Sequence, residues 1–260
     1  MGRPVHLEPF VSPVDPVVPE RRGAVDLYLP AAGGGPDATR PVVVFVHGGP
    51  LPPSLMPKPR DWPVYQGYGS LLASRGAVAA VVEHDLHGVD SYERSAVQVR
   101  AAIDLVRGDA RVDGDRVALW FFSGGGPLGA QWLRDPPEWL RCVALSYPLL
   151  DALPGFPLGP GFRPVEAVRA VGDAAAAGVA GAMRANALPI VLTRVGLERP
   201  ELAATVEAFT AEAGVAGAEL TIVDVPNGRH AFDVLDHTDE SRQAVTAAVD
   251  RVLATFGDAR

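Results

Sequence analysis

The chain has one cysteine in 260 residues, Cys142, so no intramolecular disulfide can form. That fits a reducing compartment, and the setting in the apolar run Cys142–Ser146 reads as a small buried hydrophobe. Basic residues are also short: 23 Lys and Arg stand against 31 Asp and Glu, a formal charge of −8. Without a basic footprint, neither nucleic acid nor an anionic membrane is an expected partner. No apolar window approaches the roughly 20 residues that cross a bilayer, and Met1–His6 lacks the apolar core of a signal peptide. The expectation is a soluble, cytoplasmic protein. Phosphate- and dinucleotide-binding motifs are missing as well, since Gly124-Gly125-Gly126 fits neither glycine spacing. Glu83-His84-Asp85 with His87 is the one metal-like cluster, and alternate residues of an extended segment face opposite ways. No metal and no cofactor are expected.

What is present is an ordinary globular composition, 48% apolar and 21% charged, long enough for one domain spanning residues 1–260. Apolar, β-branched runs at Pro41–Val46, Ala77–Val82, Val117–Phe122, Cys142–Ser146, Pro189–Arg194 and Glu219–Val223 read as strands. Between them Ala96, Val99, Ile103 and Val106 recur at helical spacing within Ser91–Arg107. Further helices are expected at Leu202–Ala213 and Thr238–Phe256. This alternation predicts an α/β fold, a doubly wound, mostly parallel sheet with helices on both faces. Val25–Pro30 alternates as a half-exposed edge strand would, and Gly33–Asp37 reads as a turn. Leu51–Gly69 is dense in proline and aromatics and reads as a long loop before a short helix at Ser70–Ser74. Residues 152–187, a Gly/Pro stretch and two Ala-rich pieces, read as a small helical cap inserted over the strand ends.

One junction concentrates the chemistry. The run Val117–Phe122 stops at Ser123, and Gly124-Gly125-Gly126 follows. A buried strand that turns sharply into a helix at a serine presents that hydroxyl at the top of the sheet. A serine hydroxyl is a weak nucleophile until a base takes its proton, and His230 and several carboxylates follow later in the chain.

The segments Phe45-Val46-His47-Gly48-Gly49, Phe122-Ser123-Gly124-Gly125-Gly126-Pro127, Tyr147-Pro148, Gly196-Leu197-Glu198 and Gly228–Asp233 occur in this order. Together they resemble the α/β-hydrolase superfamily, nearest its dienelactone-hydrolase and esterase-like branch. The resemblance implies Ser123 as nucleophile, His230 as base and Glu198 as the acid that orients it, with Asp151 the alternative acid. It implies an oxyanion hole from the backbone amides of Gly124 and of Gly48 or Gly49. It also departs from the family pattern, because the first glycine of the usual G-x-S-x-G elbow is Phe121 here. Trp62, Tyr65, Tyr68, Phe122, Phe156 and Phe162 are the expected walls of an apolar pocket for a small-molecule acyl substrate. The expected activity is hydrolysis of a carboxylic ester, lactone or thioester. The same triad could also serve a lyase, cyclase or acyltransferase, and a non-catalytic ligand-binding protein could keep the motif.

Overall fold

The computed structural model describes residues 4–31 and 39–257, and the turn expected at Gly33–Asp37 lies outside them. The strands are β1 (Glu20–Arg22), β2 (Val25–Tyr28), β3 (Arg40–Val46), β4 (Val78–Val82), β5 (Val112–Phe122), β6 (Leu140–Ser146), β7 (Ile190–Leu197) and β8 (Leu220–Arg229). They form one sheet in the order β1-β2-β4-β3-β5-β6-β7-β8. From β4 to β8 all neighbours are parallel, and only the β1–β2 and β2–β4 pairs are antiparallel. The helices are α1 (Pro63–Ser74), α2 (Tyr92–Arg107), α3 (Ala130–Arg134), α4 (Pro164–Ala176), α5 (Ala180–Asn186), α6 (Pro200–Ala216), α7 (Phe232–Leu235) and α8 (Asp239–Ala254).

Because strand side chains alternate, each strand feeds two cores. Val117, Leu119 and Phe121 of β5 join one cluster, covered by Val99, Ile103 and Val106 of α2 and by Leu202 and Val206 of α6. Ala118, Trp120 and Phe122 join the other, covered by Leu72 of α1 and by Val245, Val249 and Val252 of α8. Within residues 152–187, α4 turns Val165 and Val168 into the first of these clusters. A tight turn, in which Leu153 and Phe156 form an isolated bridge, precedes it.

Three local expectations differ from the structure. Val25–Tyr28 is wholly buried and second from the sheet edge. Its apparent outward residue, Asp26, is 1% exposed and held by the half-exposed Arg21 through bonds of 2.8 and 2.7 Å, so an alternating pattern hides a buried, paired carboxylate. The loop after β3 ends at Trp62 rather than Gly69, because α1 begins at Pro63. Gly67 and Gly69 lower the helical propensity of that stretch. Both are there for packing, since a Cβ would come within 2.3 Å of the Phe10 ring at Gly67 and 2.6 Å of the Tyr28 ring at Gly69. Finally, the helix expected to follow directly on Ser123 is a tight 3₁₀ segment over Ser123–Gly129 followed by the short α3.

Candidate active site

Parallel strands end at one edge of the sheet, and five side chains follow strand ends directly there. They are His47 after β3, Ser123 after β5, Tyr147 after β6, Glu198 after β7 and His230 after β8. Sheet register sets their neighbours. Leu197 pairs with Arg229, so Glu198 and His230 leave the sheet side by side. Phe122 pairs with Ser146, which sets Tyr147 beside Ser123. Strand β8 is three places from β5, a span of about 14 Å at the usual strand spacing. The chain after β8 therefore folds back over the sheet edge, turning through Ala231 at φ +63°. His230 meets the Tyr147 ring edge-on at 5.0 Å between centroids.

This return brings three of the expected residues into one line. Ser123 Oγ lies 2.7 Å from His230 Nε2, and His230 Nδ1 lies 2.5 Å from Glu198 Oε2. The other Glu198 oxygen accepts the Arg199 backbone N–H at 2.8 Å, and the side chain is only 4% exposed. Asp151 is elsewhere, bound to Arg163 Nε at 2.5 Å and to the Ala152 amide.

Ser123 sits at φ +49°, a conformation that is costly for a residue with a Cβ. Its surroundings hold it there. Built Cβ atoms at Gly124, Gly125 and Gly126 would lie 1.8 Å from the Gly49 carbonyl, 2.5 Å from that of His47 and 2.4 Å from that of Leu149. The turn therefore packs directly on the backbone after β3 and β6, and only glycines allow that approach. Gly48 comes equally near from the other side, where a Cβ would be 2.9 Å from Ser123 Cβ. Its amide donates to Tyr65 Oη at 3.4 Å, whereas the Gly49 amide has no acceptor among the described residues. His47 supports this loop: Nδ1 lies 2.6 Å from the Gly48 carbonyl, and Nε2 accepts the His84 amide at 3.4 Å. The two rings stack at 3.8 Å, and burial holds His47 down at about 4, uncharged near neutrality.

Two cavities open on either side of Ser123. One, of about 310 Å³, is walled by Trp62, Val64, Tyr65, Phe122, Tyr147 and Val234, with His230 at its rim. The other, of about 480 Å³, lies against Leu149, Leu153, Phe156, Leu202, Arg199 and Glu201. Of the six aromatic residues expected to line a pocket, Trp62, Tyr65 and Phe122 face the first cavity and Phe156 the second. Tyr68 and Phe162 face neither: Tyr68 is 1% exposed and packs on Phe45 and Trp120, while Phe162 packs on Tyr92.

No family model matches the chain, and no curated protein matches it by sequence. Solved structures do. Esterase 2 of the planctomycete Thermogutta terrifontis, phosphoramylated by tabun, aligns with a TM-score of 0.67 at 18% identity, covering 90% of this chain and 89% of that one. The butyrate-bound form of that esterase gives 0.65 at 18% identity over 94% of both chains. The propionate-bound form gives 0.66 at 18% identity over 90% of this chain and 89% of that one. The fold is the α/β-hydrolase fold.

Within this hydrolase fold the phenylalanine at the elbow has a physical explanation. Phe121 points away from the turn into the α2 side of the core and is fully buried. Its ring occupies the room left by Gly129, where a Cβ would be 3.3 Å from Phe121 Cδ2. A small residue six positions after the serine thus replaces the small residue two positions before it.

Sequence reasoning passed over one more group. Asp233 is fully buried, and Tyr147 Oη donates to its carboxylate at 2.9 Å while Tyr68 Oη donates at 3.2 Å. Burial pushes its pKa up to about 6 despite these donors. The only sequence signal was its place three residues after His230 on a short apolar turn, which says nothing of two tyrosines 86 and 165 positions away.

Proposed function

We propose that this protein is a serine hydrolase that cleaves a carboxylic ester, lactone or thioester through an acyl-enzyme on Ser123. What carries the reading is the continuous chain from Ser123 through His230 to Glu198 at 2.7 and 2.5 Å, opening on an apolar cavity. In this mechanism His230 Nε2 takes the hydroxyl proton as Ser123 Oγ attacks the acyl carbon. Glu198 accepts from His230 Nδ1–H, which fixes the tautomer and stabilises the imidazolium. The proton passes to the leaving alcohol or thiol, and a water activated by the same histidine then releases the acid.

The developing oxyanion would be held by the amide of Gly124 and, of the two glycines expected from the other loop, that of Gly49. The Gly48 amide already has Tyr65 as an acceptor, and Gly49 has none among the described residues. Losing one such donor costs roughly 3–4 kcal/mol of barrier. The 310 Å³ cavity suits the acyl group, being apolar and at the small end of ligand pockets, and the cavity beside Phe156 suits the leaving group. Residues 152–187, of which Leu153 to Phe156 line that second cavity, would form its cap within a single hydrolase domain. Propionate and butyrate in the structurally similar esterase are consistent with short acyl groups here. Among the described residues no helix is long and apolar enough to cross a membrane.

A fluorophosphonate probe should label Ser123, and wild-type protein should turn over p-nitrophenyl acetate and butyrate to acid and alcohol. Ser123→Ala should lose both signals. Wild-type protein that neither labels nor hydrolyses any ester of a broad panel would refute the reading.

A further inference from the structure

Ser123 is not the only residue at this sheet edge held in a costly conformation. Tyr147, the first residue after β6, has φ +38°, in the left-handed region that side chains rarely adopt. Such strain persists only where the surroundings fix the residue, and it gathers at functional sites. Tyr147 is fixed at three places. Its amide donates to the Thr193 carbonyl at 2.9 Å, and its hydroxyl spans both Asp233 carboxylate oxygens at 2.9 Å. Its ring packs edge-on against Phe122 and Phe232. Asp233 is tied down in turn, since its carbonyl accepts the Val11 amide at 2.9 Å and its carboxylate accepts the Tyr68 hydroxyl. The Tyr147 ring is thereby presented to the His230 imidazole, 5.0 Å between centroids, and among the described residues it is the one ring that meets it.

Before reaction the imidazole is held at both ends, by Ser123 Oγ at 2.7 Å and by Glu198 Oε2 at 2.5 Å. Acylation removes the first of these bonds. Once the proton has left with the alcohol, Nε2 is unprotonated and Oγ is an ester oxygen, so neither has a hydrogen to share. Glu198 then holds the ring at Nδ1 alone, and a ring held by one hydrogen bond can swing. This is the stage at which Nε2 must face the incoming water. It takes a water proton as the water oxygen bonds to the acyl carbon, and returns that proton to Oγ as the ester bond breaks. The edge-on contact with Tyr147 is made to the ring itself and does not depend on Oγ.

We propose that Tyr147 is a positioning residue for deacylation, steadying His230 while Ser123 carries the acyl group. The proposal rests on the hydrolase reading. Stopped-flow kinetics with p-nitrophenyl butyrate separate the burst of acylation from the slower release of acid. Tyr147→Leu, which removes the ring, should slow deacylation about 10–100-fold and acylation far less. As the acyl-enzyme accumulates, kcat and KM should fall together while kcat/KM is nearly kept. Tyr147→Phe, which keeps the ring, should recover most of the loss. Tyr68→Phe removes a donor from the same carboxylate, but its ring packs on Phe45 and Trp120, so the ratio of the two rates should stay as in the wild type. A second readout needs neither substrate nor a Tyr147 variant: the downfield proton resonance of His230 Nδ1–H should stay sharp in Ser123→Ala, where Oγ is gone. Equal slowing of both steps in Tyr147→Leu, unchanged deacylation, or loss of that resonance in Ser123→Ala would overturn the proposal. Wild-type protein that is never acylated would overturn the hydrolase reading itself, which the burst reports separately.

Discussion

Replacing Asp233 by asparagine isolates the cost of one buried charge. In the folded protein the carboxyl holds its proton up to about pH 6, against an ordinary 3.8, because it is fully enclosed. Well below pH 3.8 both folded and unfolded chains are protonated at this site, and the stabilising effect of the raised pKa is complete. Between about 4 and 6 the unfolded chain releases the proton while the folded chain keeps it, so folding stability falls as pH rises. Above that window both forms are ionised and the loss is constant. The interval from 3.8 to about 6 corresponds to about 3 kcal/mol, at about 1.4 kcal/mol per tenfold change in acidity constant. Asparagine keeps an oxygen to accept from Tyr68 or Tyr147 and has no proton to lose. Urea unfolding of wild type and Asp233→Asn across pH 4–8 should give a difference that grows in the variant's favour by about 2.5 kcal/mol and levels off near pH 7. Any fixed offset from the substitution itself cancels in that profile. A flat difference, or one that moves towards the wild type as pH rises, would refute the reasoning and mean that the tyrosine donors outweigh burial.

Glu198→Gln should reduce kcat by as much as about 10⁴-fold while the fold survives, because an amide nitrogen facing His230 favours the wrong tautomer. Single-turnover acylation with p-nitrophenyl butyrate, alongside circular dichroism, checks both halves of that statement. Phe121→Gly, which restores the customary elbow glycine, should destabilise the protein by at least about 3–5 kcal/mol, because it empties the space against Gly129. Denaturant titration measures the loss, and an unchanged midpoint would mean that the ring is not part of the core. Cys142 is fully buried and its thiol is pushed up to about 12, so the native protein should not react with iodoacetamide at pH 8, whereas unfolded protein should.

How much of this molecule is legible in its residues follows from the range of the interactions involved. Continuous β-branched runs and a 3.6-residue period are local properties, so the parallel strands and the long helices α2, α6 and α8 stand close to where the pattern puts them. Ser123, Glu198 and His230 were legible for a related reason. Each follows a strand end, and parallel strands share an edge, so order along the chain becomes nearness in space. Local pattern misled where a distant partner changes the meaning of a residue. Asp26 reads as exposed until Arg21 is beside it, and the glycines of α1 read as loop until Phe10 and Tyr28 are against them.

Only tertiary structure decided the rest. Asp151 and Glu198 are equivalent as carboxylates after strands; the Leu197–Arg229 register sets Glu198 against His230, and Arg163 occupies Asp151. Phe121 breaks the elbow pattern in one dimension and keeps it in three, because the volume it adds is removed at Gly129. The Asp233–tyrosine cluster has no local signature at all, being contacts between residues 86 and 165 positions apart. Periodicity and residue type carry the elements and the chemistry of this chain, whereas register and long-range packing determine which of its polar groups meet.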